Sequence, residues 1–430
     1  MHRYLRYGIS AEKDILLREP STFHGLVVPA HLAADQSESL PAFLRRLGKP
    51  YFVDPMTFAF AVEGADLTNT RGDALKRSYS KLVARYHWPR EIDFMSEQVS
   101  AGDFEESPGG LESSMEEFVN SVLDLQSSLS ELDEETRRYE QIALGFGAEL
   151  FPSRETASGP EFLVAPYFFF SDYEDPGYAL TVTAARKAVE LNPNNRIFGL
   201  LAMSSEFLQR YDFAQLLEDI QFLRGVIIWI DGFNDQLRNE RELTAFRRLV
   251  RALARDREVI NLYGGRFSML LASDGLAGYA SGVCYGESKV QVAISGGVIP
   301  PRYYASLPLM KLAQADTLRF LKTQDDLCDC EICQEVLSEI EGKTPGWQDR
   351  FVRRLFPPAG EGRNEADVRL KRHFLQSSNH EQRSFSEMTA EATLEDLRLR
   401  SERLRTADPV FFNTRAFFLS KWERALRALP

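Results

Sequence analysis

Short apolar runs rich in β-branched and aromatic residues alternate with stretches of helical period along most of the chain. The strand candidates are Gly25–Ala30, Pro50–Asp54, Phe162–Phe170, Ile197–Met203, Val226–Asp231, Val259–Tyr263, Gly278–Tyr285 and Val290–Ile294. Amphipathic segments of helical period lie between most of them, among them Tyr178–Leu191, Asp212–Leu223 and Leu243–Ala254. Strands that are apolar throughout and separated by helices predict a parallel sheet covered on its outer face. About eight such strands are what a (β/α)8 TIM barrel requires. A doubly wound open sheet is the competing architecture, but no Gly-rich dinucleotide fingerprint follows the first strand candidate. The expected fold class is therefore α/β, a barrel over residues 1–310 with a helix-rich insertion at about 70–155.

Charge changes the picture in one place. The 430 residues carry 51 Lys+Arg against 63 Asp+Glu, a net −12, which excludes a protein that coats nucleic acid by bulk charge. Glu97–Glu140 alone holds 13 acidic and two basic residues, so it accounts for −11 of that total. The ordinary reading of such a segment is a solvated helical face; the sharper one is an acidic arm that competes with a polyanion for a basic site. No apolar run approaches the ~20 residues of a membrane helix, and Met1–Tyr7 lacks the apolar core of a secretory signal. The expectation is a cytoplasmic protein with no membrane partner.

Barrel enzymes place their chemistry at the C-terminal ends of the strands. That rule collects Asp54, Asp172, Glu174, Ser204, Glu206, Asp231, the Tyr263-Gly264-Gly265 run and Glu287. Each has a plainer reading, because Asp-Pro and Asp-Gly are turn pairs and Asp often caps the next helix. Asp54 and Asp231 stand out because each interrupts an otherwise apolar strand end, where a carboxylate must find a purpose or a partner.

The most specific signal is Cys328-Asp329-Cys330-Glu331-Ile332-Cys333. A tight cysteine cluster in a reducing compartment suggests metal, and three thiolates on Zn²⁺ need a fourth ligand. The nearest downstream imidazoles are His373 and His380; Cys284 reads as a buried small hydrophobe. This triad with a later His, behind a (β/α)8 barrel, resembles the tRNA-guanine transglycosylase superfamily, whose members exchange a guanine base in nucleic acid for a 7-deazaguanine. Phe52-Val53-Asp54 resembles the family strand whose Asp acts as acid/base beside the purine. Phe198-Gly199-Leu200 resembles the strand that leads into base recognition, and His373-Phe374-Leu375 with Glu381 and Thr393–Leu397 resembles the zinc-His helix and its sequel. The resemblance implies structural zinc on Cys328, Cys330, Cys333 and His373, in a module over 311–398 with an insertion at about 342–367, followed by a helical tail over 399–430.

The chain also departs from the family. The stretch matched to the nucleophilic Asp, Gly275–Tyr285, contains no carboxylate; Asp274 precedes it and Glu287 follows it. Ala202 and Met203 stand where Gln and Gly are expected, and Trp229 and Ile230 where two glycines are. These changes suit the divergent branch that inserts 7-deazaguanines into DNA, and equally a partner subunit that kept the fold and zinc without the chemistry. The first expectation is base exchange on DNA, with tRNA second. Asp54 is the acid/base, Asp231 the replacement carboxylate, and Asp172, Trp229, Tyr263, Gly264 and Gly265 bind substrate, with Phe170 a further stacking candidate. Companion modification proteins or a homodimer are implied partners. A zinc-stabilised nucleoside hydrolase is a third reading. Nucleic acid is expected near 341–372, where eight basic residues, Arg353, Arg354 and Arg372 among them, face five acidic ones.

Overall fold

The computed structural model describes residues 1–8, 12–130, 159–210, 212–283, 287–293, 300–358 and 362–428. Its centre is a parallel sheet of β1 (His2–Arg6), β2 (Gly25–Pro29), β3 (Tyr51–Asp54), β4 (Leu163–Val164), β5 (Phe169–Phe170), β6 (Ile197–Met203), β7 (Gly225–Ile230), β8 (Glu258–Asn261) and β9 (Leu276–Gly282). The strands run β3-β2-β1-β9-β8-β7-β6-β4, with β5 also on β6. Because β4 and β5 pair with opposite ends of β6, they occupy one position in the sheet and leave eight in all. Pro166, which has no N–H to give the ladder, stands between them. The seam between β3 and β4 is bridged by Glu161 N–H donating to the Tyr51 carbonyl (2.7 Å), so the sheet nearly closes on itself. A nearly closed eight-strand parallel sheet with intervening helices is the layout of a (β/α)8 barrel.

Two strand assignments differ from the sequence pattern. β1 lies in a segment that contributes no strand by hydrophobicity, because Arg3 and Arg6 interrupt it. Arg3 is nevertheless fully buried: it donates to the Leu375 carbonyl (3.4 Å) and lies over the Phe374 ring at 5.2 Å. Conversely, Val290–Ala293 forms no strand, and Ile294 lies outside the described residues. The number eight is kept while the first strand enters and the last candidate leaves. Cys284, Tyr285 and the part of the acidic segment beyond residue 130 also lie outside the described residues.

The barrel floor is a row of aromatic rings. Tyr4 meets Phe52 at 5.2 Å, Phe52 meets Phe162 at 4.7 Å, and Phe162 stacks on Phe198 at 3.9 Å. Rings of this size fit because a neighbouring strand places glycine beside them. A Cβ on Gly225 would stand 2.2 Å from the Phe198 ring. Gly225→Ala is therefore expected to overpack the floor and cost about 1–3 kcal/mol, read as a lowered thermal unfolding midpoint. Side chains alternate along a strand, so Arg6 and Asp54, two residues beyond Tyr4 and Phe52, share the inward face one layer higher.

Between β3 and β4 the described part of the insertion is helical, ending in Gly110–Ser128. That helix buries Met115, Phe118, Val119 and Val122, while Glu112, Glu116, Glu117 and Asp124 face solvent. The ordinary reading of the acidic run holds for this stretch. Gln126 extends the sheet, accepting from Val164 N–H (2.8 Å) and donating to its carbonyl (2.7 Å).

Beyond the barrel stand a hairpin of β10 (Tyr303–Ala305) and β11 (Met310–Leu312) and a set of helices that includes Glu331–Glu339, Trp347–Leu355 and Arg363–Glu387. Arg363–Glu387 is pinned to the barrel: Arg372 and Gln376 both bind the buried Glu19 carboxylate (2.6 and 3.0 Å). The helix Ala390–Ala407 runs through the 398/399 division, and Phe418–Arg427 returns to the barrel, where Trp422 donates to the Asp235 carbonyl (3.0 Å). No helix among the described residues is long and apolar enough to cross a membrane.

Candidate metal centre and barrel mouth

Cys328 and Cys330 sit on the loop before the helix Glu331–Glu339, Cys333 in its first turn, and His373 in the middle of Arg363–Glu387. Their ligand atoms lie within 4.8 Å of one another, and the cluster can hold a metal ion. His373 Nδ1 is 3.2 Å from Cys330 Sγ and 3.5 Å from Cys333 Sγ. Tetrahedral zinc with ordinary Zn–S and Zn–N bonds sets sulfur and nitrogen about 3.5 Å apart, so the donor set fits. The surroundings fix the imidazole. Nε2–H donates to the Tyr304 carbonyl (2.7 Å), which leaves the Nδ1 lone pair facing the sulfurs, and the Tyr303 ring stacks on the imidazole at 4.4 Å. Ser377, one turn further along the helix, reaches Cys328 Sγ (2.9 Å). Hydrogen bonds from Cys330 and Cys333 hold the Cys328 thiol far below its ordinary range, and the same crowding pushes Cys333 up. His380, the alternative imidazole, is exposed.

The barrel mouth gathers a second constellation. Asp54, at the end of β3, is fully buried. Its Oδ1 accepts from Met56 N–H (3.0 Å) and Tyr167 O–H (2.8 Å), while its Oδ2 has no hydrogen-bond partner among the described residues. Met56 adopts φ +54°, a left-handed conformation that costs a non-glycine residue about 1–3 kcal/mol. Thr57 fixes the other flank by accepting from Tyr167 N–H (2.8 Å) and donating to its carbonyl (2.5 Å). Around this carboxylate stand Phe58, Trp229 and Tyr263, with Phe58–Trp229 and Trp229–Tyr263 centroids 4.6 and 5.4 Å apart. Ala202, paired with Trp229 across β6 and β7, leaves the indole room.

Two cations complete the mouth. Arg6 lies over the Tyr263 ring at 4.2 Å. Lys289 Nζ is 4.9 Å from the Phe58 centroid and 5.4 Å from those of Trp229 and Tyr263. Burial, with Arg6 adding to it and Asp54 opposing, pushes the Lys289 amine down to about 7. Burial and the same two cations push His31 down to about 3, so its imidazole is neutral, 3.0 Å from Met56 Sδ.

The other residues singled out by sequence fall elsewhere. Asp231 accepts from Gln291 N–H (2.6 Å), and its carboxyl is raised by burial, opposed by that hydrogen bond and by Arg238. No hydrogen bond joins it to Asp54. Gly264 and Gly265 are buried: a Cβ on Gly265 would stand 2.2 Å from the Asp235 carboxylate, which accepts from Phe267 N–H (2.7 Å). Asp172 lies in the rim turn beyond β5. Phe170 is not at the mouth, because it packs outward on Tyr178 and Phe207, both at 5.2 Å. Ser204 caps Phe207 N–H (3.0 Å) and Glu206 pairs with Arg210 (3.0 Å), so both are local helix features. Glu287 is held by Lys311 (3.0 Å) and Arg266 (3.3 Å). Asp274 precedes β9, at the opposite end of the barrel, and is clamped by Arg247 (2.6 and 3.0 Å).

Sequence reasoning missed Arg6, His31, Tyr167 and Lys289. A basic residue two places beyond an inward aromatic in β1 was the one available signal, and it required recognising the strand first.

A cleft of about 1000 Å³ opens on the cysteine-bearing module, lined by Arg350, Arg353, Arg354, Arg369 and Phe356. Arg354 and Arg369 share Glu339 (2.5 and 2.7 Å), whereas Arg353 is exposed and has no ion pair among the described residues. Arg372 is committed to Glu19 and Glu331 and does not line the cleft.

Fold and site together define a barrel-like α/β protein with an appended Cys3His cluster that can hold a metal ion. No family model matches the chain, and no curated protein does either.

Proposed function

We propose that the chain is a guanine transglycosylase-like enzyme that exchanges a guanine base in DNA, with tRNA the second choice, for a 7-deazaguanine. The observation that supports this reading most is the unpartnered, buried Oδ2 of Asp54 among aromatic rings at the mouth of a barrel whose appended module carries the Cys3His cluster. Asp54 is suited to hand a proton to the departing purine and to take one from the incoming base. Zinc, held by Cys328, Cys330, Cys333 and His373, is structural, because four protein ligands leave no open position. The target nucleotide must leave its stack to reach the mouth. Trp229 and Tyr263, almost fully buried, line the mouth as aromatic surfaces beside Lys289. Asp231 holds the segment that carries Lys289 through Gln291 N–H.

The arginine cleft is the proposed track for phosphates. Each phosphate contact to duplex DNA adds about −0.9 to the slope of log affinity against log salt. Arg350→Ala with Arg353→Ala is expected to flatten that slope in binding titrations, while Arg372→Ala changes stability more than slope. Unchanged slope and affinity in the double variant would move the track elsewhere.

A second reading, a non-catalytic subunit that presents nucleic acid to a partner, is favoured by the absence of any carboxylate from β9. Incubating the purified chain with duplex DNA and isotopically labelled guanine separates the two. Label entering the DNA supports the enzyme. No label entering alone, but entry once companion proteins are added, with Asp54→Asn as active as wild type, supports the subunit.

A further inference from the structure

We propose that Lys289 supplies the nucleophile that β9 lacks, its amine bonding transiently to C1′ of the target nucleotide; this rests on the base-exchange reading above. Lys289 follows the end of β9 by seven residues and is anchored from two directions. Its carbonyl accepts from Gly232 N–H (2.8 Å) and from the Trp229 indole (3.3 Å), and Gln291, two residues on, is tied to Asp231 (2.6 Å). The side chain therefore has a defined place among Phe58, Trp229 and Tyr263. Among the described residues no carboxylate lies within ion-pair distance of it, although Asp54 is near enough for its charge to be felt. A desolvated ammonium without a carboxylate partner is a poor structural ion. A desolvated lysine beside a second cation is a recognised way of making a nucleophile, and Arg6 is that second cation here. The carboxylates near β9 are otherwise engaged, Glu287 by Lys311 and Arg266, and Asp274 by Arg247 at the far end of the barrel.

The neutral Lys289 amine attacks C1′ as the glycosidic C1′–N bond breaks, and the departing guanine takes the bonding pair and a proton from protonated Asp54. The secondary ammonium so formed can pass a proton to O4′ as the sugar opens to an iminium. Ring closure reverses that transfer. The incoming base gives a proton to the Asp54 carboxylate, bonds to C1′, and expels the Lys289 amine in its neutral form. One purine gains the proton the other loses, and no oxidant or reductant is required.

The experiment uses the full chain with its metal and a DNA duplex containing one abasic deoxyribose, whose aldehyde reports amine attack once borohydride is added. The expected result is one protein–DNA cross-link, mapped by peptide mass spectrometry to Lys289 and absent from Lys289→Met and Lys289→Arg proteins of normal metal content. Labelled-guanine exchange in the same variants is expected to fall by more than about 10³-fold. A cross-link confined to other lysines, or no cross-link in a protein that exchanges guanine, overturns the inference. Undiminished exchange in Lys289→Met also overturns it and leaves base exchange standing. A Lys289 cross-link in a protein that exchanges no base supports the amine nucleophile and overturns base exchange as its use.

Discussion

Cys330→Ser or His373→Ala is expected to reduce bound zinc from near one ion per chain to near none and to unfold the module that carries it. The expectation follows from where the ligands sit. Cys328 and Cys330 lie on a loop, Cys333 opens one helix and His373 sits mid-way along another, so an ion held by all four would tie together elements that also bury Ile332, Val336, Phe351 and Phe374. A structural zinc site contributes about 10–16 kcal/mol of apparent binding energy to small domains. Losing one of four ligands forfeits much of that and leaves the thiols, the buried Cys333 among them, without a charge partner. Metal analysis and thermal unfolding read both effects. Because Arg363–Glu387 also holds Glu19 and covers Arg3, the loss is expected to lower the barrel's own unfolding midpoint. His380→Ala, at an exposed position, is expected to change neither. Full metal content in His373→Ala with loss in His380→Ala would reverse the ligand assignment.

The second large effect is catalytic. Asp54→Asn is expected to reduce base exchange by about 10²–10⁴-fold, the usual contribution of a positioned acid/base, with little change in folding. Asparagine keeps the carbonyl oxygen that Met56 N–H and Tyr167 O–H require, and its NH2 replaces an oxygen that already lacks a partner. Stability is therefore expected to move by no more than about 1 kcal/mol. Tyr167→Phe removes one of the two donors to Oδ1 and is expected to lower exchange less than Asp54→Asn does. Equal activity of Asp54→Asn and wild type would remove the acid/base role.

The parts of this molecule legible in its sequence are those in which one chemical property decides the outcome. β6 was readable residue for residue because Ile197–Met203 is apolar on both faces and fully buried, so hydrophobicity alone marks it. The cysteine cluster was readable because tight cysteine spacing has few other uses, whereas the choice of His373 over His380 came from the family resemblance; all four ligand atoms lie within 4.8 Å of one another. β1 was hidden because Arg3 is buried and Arg6 half-buried against partners hundreds of residues away, which no local window contains. Lys289 was hidden for the same reason: its neighbours come from β7 and from the segments that follow β3 and β8. Asp231 accepts from Gln291 N–H and a Cβ on Gly265 would meet Asp235, contacts with distant segments that no local window contains. Phe170 misled because an aromatic strand end gives no indication of which face each ring takes; Phe170 packs outward on Tyr178 and Phe207.

Mass-spectrometric nucleoside analysis of DNA and RNA from cells with and without this chain tests the central claim most directly. Base exchange on DNA predicts a 7-deazaguanine deoxynucleoside that is present with the wild-type chain, absent without it, and absent with Asp54→Asn. Modified ribonucleosides alone would shift the substrate to tRNA. DNA and RNA of identical nucleoside composition in all three, with the companion modification genes present, would contradict the account.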